Sequence, residues 1–448
     1  MQQNQEMLEK GSYGSLILKL SIPTIIIMLV MIIYNMADIF FIGQTGDPNK
    51  IAAISLCGPL FSVLSGLGTL FGSGGCTAIS LALGKNEQDR IKAITSVCCY
   101  GALFIGFVFL VIVYFFSPMI CTMLGADADT IDYTVKYLRV IALGAPLILF
   151  NNVFANIIRA DGAAAQSMVS NLLGTFVNIG LDALFILGVQ WGVTGAAAAT
   201  VIGNTVSCLY LFYYITRKQP AFSLNPGDIC LKSDILTPVL TLGLPLACST
   251  LLMSFSGMLA NRLMTGYGNA ALAATGVSGK IGMLLTMLSM GICMGFQPAI
   301  SYNYSKGNRA RMVQIIRNTA IFTVAVGSAL TVICLVFRNS IIAAFIDNEE
   351  VIKYGQVMVI ASLLAGPIYG LYQLCQTFLQ STGKAAYATF VSVLDKGLVY
   401  IPVLYLLEHF FGAYGIAFTS FVTLIFSLTV GILCSIRWNQ SLEICVNS

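Results

Sequence analysis

The sequence has very little charge for its length. Of 448 residues, 9% are Asp, Glu, Lys or Arg, and 57% are hydrophobic, whereas soluble globular domains carry about a quarter charged residues. A chain of this composition cannot present a polar surface to water, which excludes a soluble protein. The apolar residues are spread along the whole length, so a large soluble domain is excluded as well. The composition indicates a polytopic membrane protein.

The residues that carry most enzymatic chemistry are also scarce. The single histidine, His409, has no partners for a catalytic triad, and the 13 cysteines include no C-x-x-C pair. The phosphate-binding pattern G-x-x-x-x-G-K-[ST] is absent, because Gly279-Lys280 lacks the upstream glycine. We therefore expect no enzyme, no ATP-driven pump, no cofactor and no structural metal. No basic run suggests nucleic acid as a partner.

What the chain does contain is twelve apolar stretches, separated by Gly, Pro or charged residues. A helix needs about 20 apolar residues to cross the hydrocarbon core of a membrane. Each stretch is long enough, so the sequence predicts an all-α membrane protein. The predicted spans are 16–41, 52–83, 93–116, 131–158, 167–189, 193–215, 236–264, 272–304, 313–337, 351–378, 386–406 and 413–436.

The two halves of the chain resemble each other. At an offset of 221 residues the tripeptide at 78–80 falls on an identical one at 299–301, and Pro146 falls on Pro367. Six spans in each half bring both halves into the membrane from the same side, which makes the repeat parallel. We predict two six-helix lobes around a central cavity: an N-terminal lobe at 1–216, a cytoplasmic linker at 217–235 and a C-terminal lobe at 236–448.

Loop charge predicts the orientation. The loops at 85–92, 217–232 and 306–311 are basic, and the opposite loops at 127–132 and 347–350 are acidic. The positive-inside rule then puts both termini in the cytoplasm. We expect a multi-pass protein of a prokaryotic plasma (inner) membrane.

Two carboxylates fall inside predicted spans of the first lobe. Asp38 lies near the end of span one, three residues after Asn35, and Asp182 lies in span five, one turn after Asn178. An ionisable group at membrane depth costs about 2.5 to 3.5 kcal/mol on insertion scales, so each needs a reason to be there. Both spans belong to one lobe, so these side chains can converge in a polar pocket that binds a cation.

The carboxylate pair has no counterpart in the second half, where the equivalent positions are Ala260 and Pro402. This asymmetry favours a function over support of the fold. Two structural alternatives stay open. Asp38 could be a helix-end residue bonded to backbone near the outer interface, and Asp182 could belong to a structural pair.

The pattern leaves the coupling ion open between H⁺ and Na⁺. Two adjacent carboxylates in a low dielectric cannot easily both stay ionised, which suits a proton carrier. Amide and hydroxyl oxygens of Asn35, Asn178 and Thr200 could instead complete an oxygen shell for sodium. Asn152 is a further candidate for a supporting polar residue.

The second lobe carries charges of its own. Lys280 lies in span eight, and Asp395 and Lys396 lie in span eleven. Because opposite charges buried in one lobe tend to pair, we predict a charge pair between Lys280 and Asp395. Both a structural role and a role in substrate binding or coupling are open for it.

Four segments resemble the multidrug and toxic compound extrusion (MATE) family, and the resemblance covers essentially the whole chain. They are DIFFIG at 38–43, NIGLD at 178–182, GAAAAT at 195–200 and GFQPAI at 295–300. The last is similar to the bacterial branch of DNA-damage-inducible and staphylococcal-type multidrug exporters, the DinF/MepA-like branch.

The resemblance implies an N-lobe cation site made of Asp38, Asn178, Asp182 and Thr200. It implies antiport, in which inward flow of protons or sodium drives export of organic cations and amphipathic drugs or toxic metabolites by alternating access. The partners expected are these small molecules and the lipid bilayer, with the chain a monomer. The acidic C-lobe ion site of another branch does not carry over, because Lys280 and Asp395 lie in that region.

Two other functions remain as alternatives. A flippase for a lipid-linked precursor needs a groove lined by several cationic residues, for which Lys280 and Lys396 are the main candidates. A channel or receptor would work without coupling, and carboxylates paired in only one lobe argue against a symmetric pore.

Overall fold

The computed structural model describes residues 2–218, 221–345 and 349–446, and these ranges are helical with short connections and contain no strand. The two chain ends, two positions of the predicted linker and the loop residue Asp347 lie outside them. The orientation inferred from loop charge stays a prediction.

Eleven helices in the described ranges are long and apolar enough to cross a membrane. Two shorter helices, Gln2–Lys10 and Arg338–Phe345, are not among them. We number the long helices α1 Tyr13–Gly43, α2 Asn49–Gly84, α3 Gln88–Met123, α4 Ile131–Asp161, α5 Ala164–Gly188, α6 Val193–Lys218, α7 Ser233–Tyr267, α8 Ala270–Ser305, α9 Arg309–Val336, α10 Glu350–Ser381 and α11 Ala385–Ile436.

The last helix contains two membrane spans. Its 52 residues would reach about 78 Å as one helix, more than twice the thickness of the hydrocarbon core, about 30 Å. The backbone leaves the helical conformation at Gly412, where φ is 60° and ψ is −137°. Glycine adopts this φ without strain, and an added Cβ would lie 3.3 Å from the ring of Tyr267. The predicted twelve-span fold, with a break between 406 and 413, is confirmed.

The chain folds as two compact units, Met1–Gly243 and Leu244–Ser448. In the first unit α4 packs against α2, α3 and α6, and α5 packs against α1 and α6. In the second unit α10 packs against α8, α9 and α11. The domain limits predicted at 216 and 236 stay a prediction.

The stretch predicted as a linker is fastened to α3. The hydroxyl of Ser96 donates to the carbonyl oxygens of Ser223 and Asn225, at 3.0 and 3.2 Å, and the hydroxyl of Tyr100 donates to that of Leu224 at 2.9 Å. These bonds satisfy backbone oxygens that would otherwise need water. Residues 223–225 are therefore an anchored strap and not a free tether.

Glycines allow α2 and the start of α7 to touch along their backbones. An added Cβ at Gly74 would lie 1.9 Å from the carbonyl oxygen of Val239, and one at Gly243 would lie 1.8 Å from that of Leu70. We expect Gly74→Ala to force the helices apart and lower the free energy of unfolding by about 1–3 kcal/mol.

Thermal unfolding of the purified chain in detergent measures this change. Gly257→Ala, in the same α7, is the matched control, because an added Cβ there meets nothing within 4 Å. Equal midpoints for the two variants would show that the close approach does not limit stability.

Candidate functional site

A buried polar group lies where α1, α5 and α6 meet in the first unit. Asp182 and Asn178 on α5 and Thr200 on α6 are 0%, 1% and 2% exposed. Asp38 on α1 is partly buried, and its carboxylate lies within interaction range of Asp182, Asn178 and Tyr34. The structure thus brings the two predicted carboxylates together, next to the predicted amide.

Tyr34 links α1 to the fourth predicted residue. Its phenolic oxygen lies 3.1 Å from the Oγ1 of Thr200, and its ring lies close to Asp38. Sequence analysis missed this residue. The available signal was its spacing, because a tyrosine four positions before Asp38 shares its helix face.

Most polar atoms of the group have no hydrogen-bond partner among the described residues. They are both carboxylate oxygens of Asp182, Oδ1 of Asp38, and the amide oxygen and nitrogen of Asn178. The carboxylates are close enough to repel each other, yet neither accepts a well-formed hydrogen bond at these atoms. A buried carboxylate without a partner is strongly unfavourable. Carboxylate, amide and hydroxyl oxygens are the donor set that fits a proton or a hard monovalent cation.

Glycines bring α5 and α6 together beside Asn178. An added Cβ at Gly203 would lie 2.6 Å from the carbonyl oxygen of Gly174 and 2.9 Å from the Cβ of Asn178. An added Cβ at Gly174 would lie 2.1 Å from the Oγ of Ser207. Only small residues permit such close packing in a membrane, so these glycines set the position of the amide.

The backbone of α5 changes character directly after Asp182. The α-helical part ends at that residue, and a π-helical turn, Ala183–Gly188, follows. Such turns are rare and are frequent at functional sites. The sequence alone contains no clear signal for this turn.

The two supporting residues named from the sequence lie elsewhere. Asn35 is exposed, and its side chain donates to the carbonyl oxygen of Met31 at 2.7 Å. Asn152 packs against α2, where an added Cβ at Gly68 would lie 2.9 Å from its Cβ. Within the described ranges no hydrogen bond joins either residue to the buried group.

A different asparagine pair extends the group. The side chain of Asn204 donates to the carbonyl oxygen of Thr200 at 2.9 Å, and the side chain of Asn151 donates to the Oδ1 of Asn204 at 3.0 Å. The polar network therefore runs from Tyr34 through α6 to α4. Sequence analysis missed both residues, although Asn204 follows Thr200 by one helical turn.

The predicted pair of Lys280 with Asp395 is wrong. Lys280 is exposed, and the Oδ2 of Asp395 lies 2.7 Å from the Nζ of its neighbour Lys396. Adjacent side chains do not face each other on a regular α-helix. Here they do, because Leu394–Leu398 forms a π-helical turn, and the sequence rule for helical neighbours does not cover that geometry.

The family comparison agrees with this architecture. The MatE family model matches residues 23–184 and again residues 245–406. The chain belongs to the MatE family. The second match begins 222 residues after the first, which is the offset at which the first helices of the two halves align in sequence.

Relatives of this MatE chain include named exporters. "Multidrug export protein MepA" of Staphylococcus saprophyticus is 33% identical over 92% of this chain and 91% of that protein. The protein of the same name from Staphylococcus aureus strain MRSA252 is 31% identical over 91% and 90%. The predicted family is confirmed.

Solved structures show the same fold. A MOP superfamily transporter from Pyrococcus furiosus is 22% identical, covers 98% of each chain and superposes with a TM-score of 0.91. A MATE in complex with MaL6 covers 98% of each chain at 22% identity with a TM-score of 0.92. The all-α membrane fold expected for this family is confirmed.

Proposed function

We propose that this chain exports organic cations and other amphipathic compounds in exchange for a proton or a sodium ion bound by Asp38 and Asp182. One observation carries the proposal: two carboxylates meet inside the first unit, and three of their four oxygens are buried without a hydrogen-bond partner. Such a group gains much from a cation and loses much without one. The names of the relatives, which are multidrug export proteins, support drugs as the exported class.

Coupling requires that ion binding favours one conformation over another. The carboxylates sit on different helices, Asp38 on α1 and Asp182 on α5. When the pair holds a cation, its charge is compensated and α1 can stay packed on α5. When the cation leaves, two buried negative charges repel, and movement of α1 relieves the repulsion.

The start of α1 is suited to such a movement. A π-helical turn, Ile17–Ser21, precedes the regular helix Ile22–Gly43, and Pro23 stands in its first turn. Proline and π-turns are the usual places where helices bend. Tyr34 joins α1 to Thr200 of α6, so bending α1 also changes the hydrogen bonding of the network.

The setting proposed for this activity is the plasma membrane of a bacterium, with both termini in the cytoplasm and a single chain as the working unit. The activity is transport and not catalysis, and no organic cofactor is required. The flippase alternative gains no support, because Lys280 is exposed and Lys396 is paired with a carboxylate.

Transport in proteoliposomes tests the proposal, with proton and sodium gradients imposed independently and a fluorescent cationic dye as the cargo. We expect one of the two gradients to drive dye accumulation, and an ionophore that collapses that gradient to abolish it. Dye that never accumulates under either gradient would refute antiport. Ion flux that ignores the dye gradient would identify an uncoupled channel.

A further inference from the structure

The second unit contains a buried polar cluster that the proposed coupling does not use. Asp395 is 1% exposed, and its carboxylate is paired with Lys396, whose side chain is 20% exposed. The Nζ of Lys396 also lies 5.6 Å from the centre of the Tyr369 ring. A carboxylate and an aromatic face thus receive the same ammonium group.

Further polar side chains hold the carboxylate in place. Tyr372 interacts with Asp395 through its hydroxyl, which accepts a hydrogen bond from the amide nitrogen of Gln376 at 2.8 Å. That nitrogen also lies 2.5 Å from the Oγ of Ser392. All four side chains are buried, so the carboxylate is held rigidly while its ammonium partner reaches the surface.

The arrangement is poorly explained by stability alone. A buried ion pair adds little to stability over an apolar pair of similar size, because removing both charges from water is costly. A lysine that only avoided the membrane would direct its ammonium outward to the headgroups. Lys396 does the reverse, and its ammonium lies inward on a carboxylate that is itself almost inaccessible.

The first unit has no such pair. At the offset of 221 residues, Asp395 and Lys396 correspond to Gly174 and Thr175, and Gly174 is closely packed against α6. The second unit places two charges and a π-helical turn where the first unit has a tight helix contact. The cluster is therefore not a requirement of the fold that the two halves share.

We infer that Asp395 and Tyr369 form a binding site for an organic cation, and that the ammonium of Lys396 is a tethered occupant which the arriving cation displaces. The inference rests on the proposed function, because it names where exported cations are recognised. An anionic carboxylate next to an aromatic face is the combination that binds alkylammonium and aromatic cations. Exchange of one ammonium for another leaves the net charge of the site unchanged, so the carboxylate never stands unpaired.

Equilibrium binding of radiolabelled tetraphenylphosphonium to the purified full-length chain, without any ion gradient, tests this inference. Removing the competitor in Lys396→Met should tighten binding about tenfold, and removing the anion in Asp395→Asn should weaken it about tenfold. Lys396→Arg keeps a tethered cation and should bind as the unaltered chain does. Lys280→Met, which removes an exposed lysine of the same unit, should have no effect.

The opposite signs of the first two shifts separate recognition from a structural role. If the pair only stabilised the unit, both variants would weaken binding together, and the inference would be overturned. Unchanged affinity in Asp395→Asn would overturn it as well. Gel filtration shows which variants remain folded, and Lys396→Arg with Lys280→Met keeps a readout if an uncharged variant does not.

The experiment also separates this inference from the proposed function. Binding is measured at equilibrium, so it does not depend on the carboxylates of the first unit. Opposite shifts in affinity without gradient-driven transport would retain the cation site and refute antiport. Gradient-driven transport with equal affinities in all variants would retain antiport and refute the site.

Discussion

Asp182→Asn is expected to reduce ion-driven dye transport about 100-fold, the upper range of coupling energies in proteins. Asparagine has nearly the shape of aspartate, so the packing of α5 on α1 should persist. It has no negative charge and does not bind a proton in the physiological range. The variant therefore removes the ion-dependent charge at a residue that is 0% exposed, while the volume stays the same.

Inside-out membrane vesicles provide the measurement: the initial rate of dye uptake after an ion gradient is imposed. Asp129→Asn is the control, because Asp129 is exposed in a loop of the same unit. It removes the same charge away from the buried group and should leave uptake unchanged. Undiminished uptake by Asp182→Asn, at equal amounts of inserted protein, would rule out the carboxylate pair as the coupling site.

Gly203→Ala is expected to disable transport by a different route. Its Cβ would meet the carbonyl oxygen of Gly174 at 2.6 Å and the Cβ of Asn178 at 2.9 Å, and a backbone oxygen cannot rotate away. The helices α5 and α6 must separate, which we expect to cost about 1–3 kcal/mol of folding free energy. The separation also moves Asn178 away from Asp38, so dye uptake should fall more than stability does.

The matched control lies in the same stretch of α5. Gly180→Ala adds the same methyl group two residues from Asn178 and two residues from Asp182, where an added Cβ meets nothing within 4 Å. Thermal unfolding and vesicle uptake are measured for both variants. If Gly180→Ala impaired transport as much as Gly203→Ala does, helix flexibility and not helix spacing would be responsible.

The sequence alone was enough to predict the fold class and the central residues of the buried group. Membrane insertion depends on the apolar content of each contiguous stretch, so the spans follow from composition read locally. The break at Gly412 lies between two stretches that were separated on that basis. Asp38, Asn178 and Asp182 were found because each ionisable group inside a span needs a reason, and because helical spacing pairs neighbours on one face.

Only the tertiary structure decided which side chains meet across helices. Tyr34, Asn204 and Asn151 depend on how α1, α6 and α4 are rotated about their axes, and no local pattern encodes that rotation. The close approach at Gly203 depends on the partner helix, since a glycine in sequence does not say what it touches. Asp395 pairs with Lys396 and not with Lys280, because a π-helical turn changes the side-chain directions that regular helix geometry assumes. Sequence determined what the membrane must accept, whereas packing between helices determined which polar atoms share one site.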